Sequence, residues 1–234
     1  MNRRLANGFY LSLLAAPWLG LHVSANAVTL NDITNAQASQ GLKLALEKGA
    51  LAAVSTLGRT NGFLLNDKVR IPLPGYLQDA ASLLRNFGQG ARLDELIAAM
   101  NHAAEAAVPM ARDMLVSAVK SMNVQDAKNI LSGGETSVTQ FFSDKTRQPL
   151  SQKFLPVVTK TTARVDLASK YNHIAGKAVG MGLIKGDQAS IEQYVTGKTL
   201  DGLYFMIGEE EKKIRQDPVG TGSALLQKVF GALK

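Results

Sequence analysis

The chain contains no cysteine and only three histidines among its 234 residues. Without cysteine it cannot form structural disulfides, thiolate nucleophiles, cysteine-based zinc sites, iron–sulfur clusters or a lipid anchor on an N-terminal cysteine. Three histidines also provide few nitrogen ligands for transition metals. We therefore expect neither a metal nor a cofactor.

Long apolar runs are also lacking. The longest, residues 11–23, falls short of the roughly 20 residues that a membrane-spanning helix needs. It follows Arg3 and Arg4 and precedes Ala25-Asn26-Ala27, which is the pattern of a secretory signal peptide cleaved after Ala27. A retained membrane anchor is the alternative interpretation. The sequence thus predicts a soluble periplasmic protein with no lipid anchor and no integral membrane segment after cleavage.

The dominant pattern in the rest of the chain is a helical repeat of apolar residues. Three sets recur at steps of three and four residues, and each predicts one buried stripe. The sets are Tyr76, Ala80, Leu83, Leu84 and Phe87; Leu93, Leu96, Ile97, Met100 and Ala104; and Met110, Met114, Leu115 and Ala118. Helix ends are predicted at Gly58, Gly88, Pro109, Gly133-Gly134 and Gly186, with helix caps at Asn123 and Thr136.

These signals predict an all-α fold. We expect a cleaved signal peptide over residues 1–27, a flexible N-terminus over residues 28–36 and one compact domain of seven to nine helices over residues 37–234. One short extended segment, residues 68–74, alternates charged and β-branched residues. Its prolines restrict it to a sheet edge or an open connector. A turn over residues 217–222 leads to a predicted final helix that carries Leu225, Leu226, Val229 and Phe230.

Positive charge is concentrated in one part of the chain. The formal net charge is +7, and residues 145–185 hold eight basic residues against one acid, Asp166. This segment begins with a predicted helix, interrupted or kinked at Pro156, that places Lys153, Lys160 and Arg164 along one flank of an apolar side. The apolar side consists of Leu150, Phe154, Val157, Thr161 and Val165.

A cationic stripe beside an apolar face is suited to an anionic amphiphile, a membrane surface or an envelope protein, because lysine and arginine stems can lie on apolar surface while their charged ends reach head groups. A solvated face of a helical bundle is the alternative. The export signal argues against nucleic acid as the partner. Lys145 is a further candidate binding residue in this segment.

Acidic residues provide weaker candidates. Glu209 and Glu211 have the spacing for ion pairs with Lys213 and Arg215, although Glu209 or Glu210 could instead face a cleft and bind. His102 and Glu105 share a helix face, but di-metal bundles use the reverse order, Glu-x-x-His, twice. We therefore predict a polar pair there and no metal site.

Four stretches of the chain resemble the domain-of-unknown-function 4197 family of bacterial envelope proteins. These are Asn61-Gly62-Phe63 with residues 68–74, residues 100–122, residues 126–146 and residues 200–218. The resemblance runs from about residue 40 to residue 231. It implies an exported, mainly helical domain, and it implies no established activity, substrate or cofactor. His102 stands where the family block is expected to have an arginine, which argues against a special role for its imidazole.

Two functions follow from these observations. The first is a non-catalytic module that binds an anionic or amphiphilic ligand, or an envelope partner, through the basic segment. The alternative is an envelope hydrolase or lyase whose carboxylate pair comes from Glu105, Asp113, Asp201, Glu209 and Glu210. The sequence favours the first, because none of these acids comes with an identifiable nucleophile, base or metal partner. An enzyme would need two of the carboxyls to meet in one pocket with their pKa values moved apart.

Overall fold

A computed structural model describes residues 35–134, 136–180, 190–217 and 220. The described residues contain nine α-helices and no strand, so the predicted all-α fold is confirmed. The helices are α1 (Asn35–Leu57), α2 (Gly75–Asp79), α3 (Ala81–Leu84), α4 (Gly90–Ala107), α5 (Arg112–Lys120), α6 (Val124–Ser132), α7 (Ser137–Thr162), α8 (Asp166–Gly180) and α9 (Ile191–Gln216). The predicted signal peptide, most of the 28–36 segment, Gly186 and the predicted final helix lie outside the described residues.

The core forms around α9, which packs against α7, α1 and α4, while α7 also packs against α4. The largest fully buried side chains include Tyr204 of α9 and Phe142 and Phe154 of α7. Burying one large apolar side chain stabilises the fold by about 1.5–3 kcal/mol, so these long helices are held mainly by their shared buried faces. The predicted stripe along α4 is confirmed, with Leu93, Leu96, Met100 and Ala104 all buried.

The predicted stripe over residues 76–87 is wrong as a buried face. Leu83 is 58% exposed and Phe87 is 73% exposed, and neither α3 nor the turn that follows it contains a buried residue. The chain breaks between α2 and α3 and again at Gly88, where φ is 74°. Apolar residues spaced for one continuous helix therefore do not share one face.

The extended segment at residues 68–74 is an open connector whose odd-numbered side chains are buried. Val69, Ile71 and Leu73 are each less than a tenth exposed. The Asn101 side chain of α4 accepts a hydrogen bond from the Ile71 N–H at 2.8 Å and donates one to the Ile71 carbonyl at 3.0 Å. One buried amide side chain thus satisfies the backbone groups that a neighbouring strand would otherwise satisfy.

Candidate functional site

Helix α7 carries Lys153 and Lys160, and it is continuous from Ser137 to Thr162 with Pro149 and Pro156 inside it. Arg164, the third residue of the predicted basic stripe, lies in the turn just after the end of this helix. Of the interruption or kink predicted at Pro156, the interruption is therefore wrong. In the second half of α7, the buried face is shifted by one residue from the predicted apolar side. It consists of Leu150, Phe154, Val158 and Thr162, while Val157 and Thr161 are half-buried. Val157 and Thr161 therefore lie at the edge of the contact between α7 and α4, where they border a cleft.

The cleft lies between α4 and α7 and has a volume of about 610 Å³. Ala106 of α4 and Pro156 and Val157 of α7 supply apolar surface, and Lys160 and Arg164 are exposed beside them. We call this the cationic cleft, and Thr161 also lines it. Lys153 is exposed on the same helix, two turns before Lys160, and does not line the cleft.

Lys153, Lys160 and Arg164 differ from their basic neighbours in having no acidic partner among the described residues. Among the six basic residues described between positions 145 and 170, Arg147 lies 2.6 Å from Asp201 and Lys170 lies 2.7 Å from Asp166. The Lys145 amino group is 4.0 Å from an Asp126 oxygen, so this candidate binding residue faces α6. Lys153, Lys160 and Arg164 form no ion pair with any described residue. Their positive charge is uncompensated in the part of the chain that the structure describes.

The structure places Glu209 and Glu210 away from the cationic cleft. A Glu209 oxygen lies 2.6 Å from the Lys68 amino group, and the hydrogen bond from Lys68 holds the pKa of Glu209 below its ordinary value. Glu210 pairs with Lys213 at 2.6 Å, so the predicted pairing of Lys213 with Glu209 is wrong. Glu211 is buried rather than solvated.

Glu105 has a role that the sequence did not indicate. Its carboxylate is buried and accepts hydrogen bonds from the N–H groups of Asn61, Phe63 and Leu64 at 3.0–3.1 Å. His102 Nδ1 lies 2.9 Å from Glu105 Oε2, the oxygen that also accepts the hydrogen bond from Asn61. Burial raises the pKa of Glu105, but the hydrogen bonds from His102 and the backbone outweigh it, so the pKa lies below its ordinary value. The ionised carboxylate of Glu105 therefore holds the loop between α1 and the extended segment in place.

Four of the five acids of the hydrolase alternative have separate partners. Glu105 anchors its loop, Asp201 pairs with Arg147, and Glu209 and Glu210 pair with different lysines. Asp113 is exposed in the first turn of α5. Within the described ranges, these contacts give no two of the five carboxyls a common partner, and no group of three His, Asp or Glu side chains could hold a metal ion.

Comparison with known proteins gave one match. A family model described as "Protein of unknown function (DUF4197)" matches residues 32–231. No curated protein and no solved structure matched the chain. In the described part of the chain, no helix has the length and apolar character needed to cross a membrane.

Proposed function

The chain belongs to the DUF4197 family, and for this member we propose a non-catalytic function, the binding of an anionic amphiphile in the cationic cleft. The observation that carries the proposal is the missing acidic partner of Lys153, Lys160 and Arg164 among the described residues. Two of these three residues border a cleft with apolar surface. An anionic head group would compensate the charge, and an acyl chain would cover the apolar surface.

The cleft offers each part of such a ligand a different surface. Ala106, Pro156 and Val157 provide contacts for an apolar chain, while Lys160 and Arg164 provide charge at one side. Ligand sites of a few hundred cubic ångströms with mostly apolar walls and a few polar groups are typical of small-molecule binding proteins. The hydrolase alternative lacks comparable support, because four of its five candidate acids are already occupied by separate partners.

Binding should depend on both the negative charge and the alkyl chain of the ligand. We expect dodecyl phosphate, titrated calorimetrically below its micelle concentration, to bind with saturation. Lys160→Gln/Arg164→Gln should weaken binding about 30-fold, because each basic residue near an anionic group contributes about 1 kcal/mol. The melting temperature should hardly change, since exposed charges contribute little to stability.

The matched control is Lys128→Gln, which removes an exposed lysine of α6 outside the cleft. It should leave the affinity unchanged. Binding should also weaken at 1 M salt, where the screening length is about 3 Å. Equal binding of neutral dodecyl maltoside, or an equal loss in Lys128→Gln, would contradict the proposal.

We also propose that the protein acts in the periplasm after export. The basic residues Arg3 and Arg4, the apolar run and Ala25-x-Ala27 support this location. N-terminal sequencing of protein isolated from its own cells should therefore begin at Val28. A cytosolic protein that begins at Met1 would disprove the proposed location.

A further inference from the structure

A second cleft lies between the C-terminal end of α1 and the turn that leads from α4 into α5. It has a volume of about 620 Å³ and shares no lining residue with the cationic cleft. Two exposed arginines line it, Arg59 just after α1 and Arg112 at the start of α5. We call it the arginine cleft.

Close packing of two backbone segments brings both arginines to this cleft. Gly58 precedes Arg59, and a Cβ atom on Gly58 would lie 2.9 Å from the Cγ atom of Pro109. Pro109 lies one turn before Arg112, in the short helical turn Val108–Ala111. The end of α1 therefore touches this turn directly, and α1 also packs against α5. The backbone that carries one arginine is thus held against the backbone that carries the other.

The loop that contains Arg59 is itself held by hydrogen bonds. The Arg59 carbonyl accepts a hydrogen bond from the Gly62 N–H at 2.9 Å. The Glu105 carboxylate accepts hydrogen bonds from the Asn61 and Phe63 N–H groups at 3.1 Å and 3.0 Å. Because this backbone is already ordered, little conformational entropy opposes the binding of a ligand beside it.

Neither arginine has an acidic partner in the part of the chain that the structure describes. Arg59 and Arg112 form no ion pair with any described residue, and the residues that line the cleft include no carboxylate. Two positive charges in one cleft repel each other, and an anion between them would remove the repulsion. An aspartate oxygen lies within 4.0 Å of three other arginines, Arg85, Arg92 and Arg147.

We propose that Arg59 and Arg112 bind the phosphate group of a phosphomonoester in the arginine cleft. A guanidinium group can donate two parallel hydrogen bonds to one phosphate, and two guanidinium groups match the charge of a dianion. Ser55 is exposed in the same cleft and provides a hydroxyl donor. A carboxylate offers a single charge and only two oxygens, so it would occupy the site less fully.

The rest of the cleft provides apolar contacts for the group that carries the phosphate. Leu51, Val54 and Gly58 follow one another at steps of three and four residues, so one side of the end of α1 forms a wall. Pro109 adds apolar surface from the turn before α5. The ligand is therefore expected to carry its phosphate on an apolar group, and phenyl phosphate is a suitable probe.

Calorimetric titration of the full chain with phenyl phosphate tests the two arginines. Phenyl phosphate should bind with saturation and at least about tenfold more tightly than benzoate, which has a carboxylate in place of the phosphate. Arg59→Gln/Arg112→Gln should weaken binding at least about 30-fold, because it removes hydrogen bonds between charged groups. Arg59→Lys/Arg112→Lys keeps both charges but loses the paired donors, so it should weaken binding about tenfold. The melting temperature should hardly change in either variant, since exposed charges contribute little to stability.

The matched control is Lys160→Gln/Arg164→Gln, which removes two positive charges from the cationic cleft and should leave the affinity for phenyl phosphate unchanged. An equal loss of affinity in this control and in Arg59→Gln/Arg112→Gln would overturn the proposal. Wild-type affinity in the lysine variant, or binding of benzoate as tight as that of phenyl phosphate, would also contradict it.

A soluble ester and a lipid head group present the same phosphate chemistry, and vesicles that contain phosphatidic acid distinguish the two. Binding of phenyl phosphate without arginine-dependent pelleting on these vesicles would identify a soluble ester as the ligand. Arginine-dependent pelleting without binding of phenyl phosphate would identify a lipid head group. The absence of both would overturn the proposal.

The proposed phosphate site does not rest on amphiphile binding in the cationic cleft. Dodecyl phosphate titrated into Arg59→Gln/Arg112→Gln measures binding in the cationic cleft with the arginine cleft disabled. The failure of either proposal can therefore be distinguished from the failure of the other.

Discussion

Replacing Glu105 with alanine is expected to lower the free energy of unfolding by about 3–5 kcal/mol, because the substitution leaves the buried N–H of Phe63 and the part-buried N–H groups of Asn61 and Leu64 without their acceptor. The N–H groups of Asn61, Phe63 and Leu64 all donate to this one carboxylate. Asn61 has a φ of 61°, so the turn that presents these donors adopts a conformation that few side chains favour. The measurement is urea unfolding at pH 7 followed by circular dichroism.

The pH dependence of the free energy of unfolding distinguishes the loss of the Glu105 charge from the loss of its packing. The pKa of Glu105 lies below its ordinary value of 4.5, so its ionised form stabilises the fold above about pH 4.5. This contribution disappears as the pH falls through the lowered pKa of the folded state. Glu105→Gln keeps the size of the side chain but cannot ionise, so its difference in stability from the wild type should shrink between pH 7 and pH 3. A difference that stays constant over this range would show that the charge is not what holds the loop.

Replacing Gly62 with alanine should cost about 3 kcal/mol, because the new methyl group has no space. A Cβ atom at residue 62 would lie 2.5 Å from the carbonyl oxygens of both Thr56 and Leu57. These oxygens belong to the last turn of α1, and backbone yields less readily than a side chain, so either the loop or the helix end must move. Thermal unfolding should show the loss.

Gly197→Ala is the matched control. Gly197 lies inside α9, and a Cβ atom there would meet nothing within 4 Å. Alanine in an open helical position should stabilise the protein by about 0.5–1 kcal/mol. Equal effects at the two glycines would mean that the close approach at Gly62 is not what requires glycine there.

Local signals in the sequence located several helix ends correctly. Helix α1 ends at Leu57, directly before Gly58, and Asn123 begins α6 by accepting a hydrogen bond from the Asp126 N–H at 2.7 Å. A helix-ending glycine and a helix-capping side chain each act on backbone only a few residues away, so a short stretch of sequence is enough to predict them. Thr136 precedes α7 as predicted, but its side chain makes no capping hydrogen bond, because its backbone is already helical with φ −94° and ψ −4°.

Long-range partners account for most of what the sequence did not indicate. The three backbone donors to Glu105 lie 41–44 residues away from it in the chain. Glu209 pairs with Lys68, which is 141 residues away, in place of Lys213 on its own helix. A helical repeat gives the neighbours of a residue on one helix, but it does not show which distant segment approaches that helix.

The helical class of the fold, the lack of cysteine chemistry and the concentration of positive charge in residues 145–185 can be predicted from the amino-acid sequence, because they depend on composition and on spacings of a few residues. Which of those charges lack a partner among the described residues depends on how the helices pack. Arg147 is neutralised by Asp201, 54 residues away, whereas packing brings no described acid to Lys160 or Arg164. An ion pair forms where two charged groups come within about 4 Å, and that distance is fixed by how the helices pack.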